Sequence, residues 1–199
     1  INSLNWLGIK HDGEEYIQSK KIDNHVKIAN ELLKAKKPLN LYLLDLNKEM
    51  LNQGKKKFIN QKNINFIIGN AERLNFNDNF FDKYIISFCL RNVTEYLQSI
   101  KEAYRVLKPG GKYCCLEFSN PKSSLISNSY KLYKSTLLPM LGGIIAKDKN
   151  AYRYLSESID LFPNQTELSN KLISCGFENV SSINLFNGIV AIHTGYKTL

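Results

Sequence analysis

Short apolar runs alternate with helix-length amphipathic stretches through the middle of the chain. This alternation restricts the fold more than any other feature. Residues 39–44 are an apolar run that ends in Asp45. Residues 48–60 have a helical pattern, with Met50, Leu51 and Phe58 available for one face. Residues 64–68 read as a short strand ending at Gly69, and residues 84–88 as another. Residues 93–107 read as a helix, stopped by Lys108-Pro109-Gly110-Gly111, a strong turn signal, and residues 113–118 as the next strand. Near-continuous apolar strands are buried on both faces, so the pattern predicts an α/β fold with a mostly parallel sheet covered by helices on both sides. An earlier helix is expected over 28–37, ending before Pro38.

The pattern changes after Phe118. Residues 119–162 read as a long helical insertion rich in Tyr and Leu. A helix comes next over 166–174, with Asn164 or Thr166 near its cap and Gly176 as a helix-ending glycine. Strands over 180–186 and 189–194 flank Asn187-Gly188, the strongest short hairpin signal available. The sheet is therefore expected to end in an antiparallel hairpin. No internal repeat is visible, and the 199 residues are expected to form a single domain with 119–162 as its insertion.

Composition narrows the function. With 43% hydrophobic and 23% charged residues, the chain is neither disordered, collagen-like nor a disulfide scaffold. The net charge is +9, but only four of the 27 basic residues are Arg (Arg73, Arg91, Arg105 and Arg153). Arg is the fork that reads phosphates and bases, so nucleic acid is not the expected partner. Nor is there an Asn-Pro-Pro-Tyr type motif for a flipped base. No charged-then-apolar leader opens the chain, and the apolar stretch over 137–146 is well short of the ~20 residues a spanning helix needs. The four cysteines (Cys89, Cys114, Cys115 and Cys175) form no CxxC pair and are expected to be buried free thiols; no metal is expected.

Several residues have the right type and position for chemistry. An acid at the end of the second strand of such a sheet can accept from both ribose hydroxyls, and Asp45 sits there; it, or Asn47, could equally cap the following helix. Asn70-Ala71 lies just past the next strand, where a small side chain beside a carboxamide makes a slot for a flat adenine. Arg91 could pair with Glu95 at i+4 on a helix, or stabilise an anion. His193 has the pKa of a base but lies in a terminal strand, where a packed, hydrogen-bonded histidine is expected.

Longer blocks are more specific. Asp45-Leu46-Asn47-Lys48-Glu49-Met50-Leu51, Gly69-Asn70-Ala71-Glu72-Arg73-Leu74 and Ser87-Phe88-Cys89-Leu90-Arg91-Asn92-Val93-Thr94 resemble the UbiE/COQ5 family. So do Arg105-Val106-Leu107-Lys108-Pro109-Gly110-Gly111, Leu116-Glu117-Phe118-Ser119, Tyr154-Leu155-Ser156-Glu157-Ser158-Ile159 and the tail Gly188-Ile189-Val190-Ala191-Ile192-His193. The resemblance implies a Rossmann-like class I methyltransferase. It implies S-adenosylmethionine (SAM) as methyl donor and a polyprenyl-methoxy-benzoquinol as acceptor, methylated on a ring carbon in ubiquinone biosynthesis. On that footing Asp45 would hold the ribose, Asn70 and Ala71 would flank the adenine, and Ser87 would lie by the methionine end. Arg91 and Asn92 would face the reacting ring as catalytic residues. The apolar, Lys-flanked stretch with Tyr130, Tyr133, Leu137 and Met140 would contact the acceptor and its isoprenoid tail, or else pack as ordinary helix against the sheet or form a dimer contact. The same resemblance implies a peripheral contact with the matrix side of the mitochondrial inner membrane, a quinone-biosynthesis complex and a homodimer.

One family motif is missing. A first strand with a Gly-rich loop, Asp-x-x-x-Gly-Thr-Gly-Asp, has no counterpart near residues 12–14. Yet Asn5-Trp6-Leu7-Gly8-Ile9-Lys10-His11 resembles the family's segment ahead of that motif, and Glu15-Tyr16-Ile17-Gln18-Ser19 resembles the helix just after it. A parallel sheet without its central strand would carry two unpaired strand edges, so a stretch omitted near this junction is expected rather than a true deletion. A demethylmenaquinol or other lipid acceptor, and a catalytically silent scaffold, are the alternatives.

Overall fold

The structure, a computed structural model, describes residues 40–121 and 149–198. The helix expected over 28–37, the junction near residues 12–14, His11, His25 and the four acceptor-side residues Tyr130, Tyr133, Leu137 and Met140 lie outside the described residues. The chain divides into two compact units, residues 1–43 with 49–67, and residues 44–48 with 68–199.

The expected alternation is present: β1 (Leu41–Asp45), α1 (Lys48–Lys57), β2 (Ile64–Ile68), β3 (Phe81–Ser87), α2 (Tyr96–Val106) and β4 (Leu107–Phe118), then α3 (Lys149–Leu161), α4 (Gln165–Ser174), β5 (Glu178–Leu185) and β6 (Val190–Tyr196). The strands form two sheets, not a continuous one: β1 pairs with β2, and a separate sheet runs β3-β4-β6-β5. Among the described residues β3 is paired on one side only.

In the first unit, Leu51 of α1 is buried, whereas Met50 is exposed. Gly54 meets the Phe66 ring so closely that a Cβ would lie 3.0 Å from it. Glycine there lets the helix approach the strand. The Leu41 amide donates to the Asn63 carbonyl at 2.9 Å, tying the start of β1 to the residue ahead of β2.

In the second unit, β3 runs parallel to β4, with Tyr84 opposite Tyr113 and Ile86 opposite Cys115. β4 and β6 are antiparallel, as are β5 and β6, so the hairpin expected at Asn187-Gly188 forms. Asn187 and Gly188 have φ of 56° and 92°, the left-handed turn geometry that this pair tolerates. Strict alternation along β4 buries Tyr113, Cys115 and Glu117 on one face. The core around them gathers Leu90, Ile100, Ala103, Leu107, Phe162, Leu168, Leu172 and Phe177. Each large apolar side chain so enclosed contributes roughly 1.5–3 kcal/mol.

Three expectations need correction. The Lys108-Gly111 segment is not a turn ahead of the strand. β4 starts at Leu107, opposite Phe81, and the next partners are Lys83 and Lys112, so the four residues bulge out of the strand. Gly110 and Gly111 are held there by backbone bonds to Lys197 at 2.7 and 3.0 Å. The helix expected over 93–107 starts at Tyr96, because Val93 is extended (ψ 134°) after a single 3-10 turn, Leu90–Asn92. The thiols are free, but Cys89 is exposed and only Cys115 is fully buried.

Candidate active site

Three strand exits carry the residues singled out in the sequence. The first two, Asp45 to Asn47 after β1 and Gly69 to Asp78 after β2, lie together. Asp45 is exposed at the end of β1, and its Oδ1 accepts the Asn47 amide at 2.8 Å. Its other carboxylate oxygen has no partner among the described residues. The Gly69 amide donates to the Asp45 carbonyl at 3.1 Å, so the two strand exits are tied together. Gly69 suits this approach, since a Cβ would stand 2.9 Å from Cδ1 of Leu44 and the leucine tip would have to shift. Asn70 and Ala71 come next, both half-buried. The Asn70 Oδ1 accepts the Glu72 amide at 2.8 Å, and its carbonyl accepts the Arg73 amide.

This loop is fastened to α2. Glu72 accepts the Glu95 amide at 3.0 Å at the helix start. Glu102 accepts the Leu74 amide at 2.7 Å and, at its other oxygen, Arg105 Nε at 2.8 Å. Arg105 also donates to the Leu74 and Phe76 carbonyls and to Asp78. The hydrogen bonds from Arg105 hold the Glu102 carboxyl below its ordinary pKa, with the Leu74 amide adding to the effect.

The third is the exit of β3. Ser87 is exposed at its last position. Phe88 then adopts φ of 51°, an uncommon conformation for an aromatic residue, while its amide still bonds to Leu116 in β4. Leu90, 1% exposed, plugs the following 3-10 turn into the core and so presents Arg91 and Asn92. Arg91 does not pair with Glu95. Its Nη1 donates to Oε1 of Glu117 at 2.7 Å and to the Phe88 carbonyl at 2.9 Å, and its Cζ lies 5.1 Å from the centre of the Phe118 ring. The i+4 partner is out of register because the chain is extended at Val93 and not helical. Arg91 also lines a cavity of about 290 Å³, together with Val93, Thr94, Tyr96, Tyr154, Glu157, Ser158 and Phe162. Tyr154 Oη donates to Oδ1 of Asn92 at 3.3 Å.

Cys89 reports how these groups converge. Loss of water around its thiol pushes the Cys89 pKa up, the Asp45 and Glu117 carboxylates push the same way, and Arg91 opposes them. Asp45, Glu117 and Arg91 thus each lie within electrostatic reach of Cys89. Glu117 is the partner of Arg91 that sequence reasoning misses. The signal is there: an acid in the apolar register of a buried strand needs a cation. His193 is buried and packed, as expected. Its Nε2 lies 3.0 Å from the Gln165 carbonyl, which makes that nitrogen the N–H donor, and burial lowers its pKa. Among the described residues no metal-ligating cluster occurs.

The adenosine half of SAM fits what is present. Among the described residues Asp45 keeps one carboxylate oxygen that could take ribose, and Asn70 and Ala71 are only half-buried, open enough to flank an adenine. For the methionine half, the described residues offer Ser87 but no glycine-rich turn at a strand exit. The Gly110-Gly111 pair is engaged with Lys197 instead.

Comparisons with known proteins agree. The ubiE/COQ5 methyltransferase family matches residues 20–197. The chain is 49% identical over 177 residues to the ubiquinone/menaquinone biosynthesis C-methyltransferase UbiE of Rickettsia typhi, covering 85% of this chain and 71% of that one. It is 48% identical over 178 residues to the Rickettsia prowazekii protein of the same name, covering 88% and 72%. Among solved structures, a SAM-dependent methyltransferase from Thermotoga maritima superposes with a TM-score of 0.57 at 18% identity, over 79% of this chain and 73% of that one. The phosphoethanolamine N-methyltransferase 2 of Haemonchus contortus, solved with SAM, gives 0.61 at 12% identity, over 85% and 46%. The solved structures share the class I methyltransferase fold that the family resemblance implied; on the sequence matches, the chain belongs to the ubiE/COQ5 methyltransferase family and is a SAM-dependent C-methyltransferase.

Proposed function

We propose that the chain methylates a ring carbon of a polyprenyl-methoxy-benzoquinol, with Arg91 and Asn92 at the reacting ring. The observation that supports this most is the Arg91 guanidinium at the wall of a cavity, its Nη1 engaged and its Nη2 and Nε without partners among the described residues. When bound, SAM supplies an electrophilic methyl group. The chain's residues do the rest. Asp45 binds the ribose, Asn70 and Ala71 flank the adenine, and Ser87 lies by the methionine end. A hydroquinone carbon becomes nucleophilic as a neighbouring hydroxyl loses its proton, so the site must stabilise an oxyanion and hold the ring about 3 Å from the methyl. Arg91 cannot be the base, because a guanidinium stays protonated. It stabilises the oxyanion, and Asn92, steadied by Tyr154, orients a ring oxygen or the water that takes the proton. Exchanging Arg91 for Ala should lower turnover about 100-fold with SAM affinity nearly intact. Wild-type turnover in that variant would remove Arg91 from the chemistry.

The surroundings are part of the same proposal. The apolar, Lys-flanked run that includes Tyr130, Tyr133, Leu137 and Met140 would meet the isoprenoid tail, with lysines at an anionic surface. No helix among the described residues is long and apolar enough to cross a membrane. The proposed setting is the matrix side of the mitochondrial inner membrane, with a second copy of the chain and a quinone-biosynthesis complex as partners. Mitochondrial placement rests on the sequence around Tyr16-Ile17-Gln18-Ser19 and the long spacer before Leu39, the two Rickettsia relatives being bacterial. Binding to anionic vesicles should weaken as salt rises; salt-independent binding would count against the lysines.

A further inference from the structure

Glu117 is 1% exposed, and apart from the amide of its own neighbour Phe118 it serves a single residue. Oε1 accepts Arg91 Nη1 at 2.7 Å, and Oε2 accepts the Arg91 backbone amide at 3.3 Å. One carboxylate therefore grips Arg91 by both main chain and side chain. The Phe88 carbonyl takes a second bond from Nη1, and the Phe118 ring lies under the guanidinium, so the group is bounded on three sides. Its Nε–H is buried and has no acceptor among the described residues. A buried ion pair of this kind is a poor source of stability compared with apolar residues of the same volume, because desolvation offsets most of the attraction. The pair calls for another explanation, and fixing the guanidinium supplies one.

We propose that Glu117 is a positioning residue for catalysis: it locks the Arg91 guanidinium through Nη1 so that its remaining terminal donor, Nη2, meets the oxyanion of the quinol ring. The proposal rests on the role given to Arg91 above. It has a sign that a purely electrostatic role would not share. Glu117 neutralises Arg91, so if only charge mattered, removing the carboxylate would strengthen oxyanion stabilisation and speed turnover. If orientation matters, removing it slows turnover.

The test is a double-mutant cycle on the full chain with SAM present, reading kcat on a short-tailed methoxy-benzoquinol, SAM affinity by calorimetry, and Tm. Glu117→Gln keeps the shape, but both carboxylate oxygens receive donors, so the amide NH₂ must face one of them and break that bond. The expected result is a fall in kcat of about 10- to 100-fold with SAM affinity within about two-fold, and less than a two-fold further fall when Arg91→Ala is already present. An equal loss in both backgrounds would make Glu117 merely structural, and an unchanged or raised kcat in the Glu117→Gln single variant would overturn the proposal. Wild-type turnover in Arg91→Ala alone would instead defeat the reading of Arg91 itself. Glu117→Asp serves if the Gln variant does not fold. A carboxylate one methylene shorter should keep Tm near that of the parent but lose kcat, and full kcat there would also overturn the proposal.

Discussion

The Gly69 amide donates to the Asp45 carbonyl at 3.1 Å, and this bond sets the spacing between the carboxylate read as the ribose ligand and the Asn70-Ala71 pair read as the adenine slot. Gly69 permits it by lacking a Cβ, and Leu44 enforces the closeness from the other side. The side chain of Asp45 contributes nothing to that bond. The carboxylate can therefore be changed without breaking the bond that ties the two strand exits together.

Asp45→Ala should weaken SAM binding by about 10- to 100-fold, the loss expected for hydrogen bonds to a charged acceptor, about 1.5–3 kcal/mol. Asp45→Asn should fall between, because it keeps an acceptor for the Asn47 amide or for one ribose hydroxyl. Calorimetric titration with SAM measures both, and unchanged affinity in the Ala variant would take Asp45 out of the site.

The clamp of Glu102 and Arg105 on the 70–78 loop makes stability depend on pH. The folded Glu102 has its pKa lowered, chiefly by the Arg105 hydrogen bonds. A carboxyl depressed in the folded state contributes stability above its unfolded pKa of about 4.3, and that contribution is lost as pH falls through the lower folded value. Thermal midpoints of wild type and Glu102→Gln should therefore differ at pH 7 and converge as pH drops below about 4. A constant difference across that range would show that the carboxylate charge is not what holds the loop.

The parts of this architecture governed by neighbouring residues were legible in the sequence. β2, the Asn187-Gly188 hairpin, the Asn164 cap and the Gly176 stop all arise from local backbone preferences. The features that were not legible depend on distant partners. The Lys108-Gly111 bulge is held by Lys197. Arg91 finds Glu117 twenty-six residues on, not Glu95 four residues on, because one extended residue at Val93 breaks the helical register. Asp45 and Arg91 could be singled out as candidates by residue type and family blocks, but the grip on Arg91 needed the strand pairing that buries Glu117.

Asn164 caps α4 with a reciprocal box: its Oδ1 accepts the Thr166 and Glu167 amides at 3.0 and 3.1 Å, and Glu167 accepts the Asn164 amide at 3.0 Å. Asn164→Ala should cost about 1 kcal/mol, a fall in Tm of roughly 2–4 °C for a chain of this size. Asn164→Asp should be nearly neutral. Thermal unfolding of the two variants distinguishes loss of the cap from a general effect of substitution at this site.

Gly110 and Gly176 both adopt positive φ, 77° and 99°, but in different surroundings. A Cβ on Gly110 would meet nothing within 4 Å, whereas one on Gly176 would stand 3.0–3.1 Å from the Tyr104 ring. Gly176 also closes α4 in a Schellman turn, its amide bonding to Ile173 and that of Phe177 to Leu172. Gly110→Ala should therefore cost only the left-handed backbone penalty, about 1–2 kcal/mol. Gly176→Ala adds the displacement of Tyr104, which is packed edge-on at 5.1 Å against the buried Phe177. Overpacking of that kind typically costs a further 1–3 kcal/mol or so, about doubling the loss. Chemical denaturation of the two variants measures the contrast. Equal losses would mean that Tyr104 yields freely, and that the ring does not help to pin the end of α4.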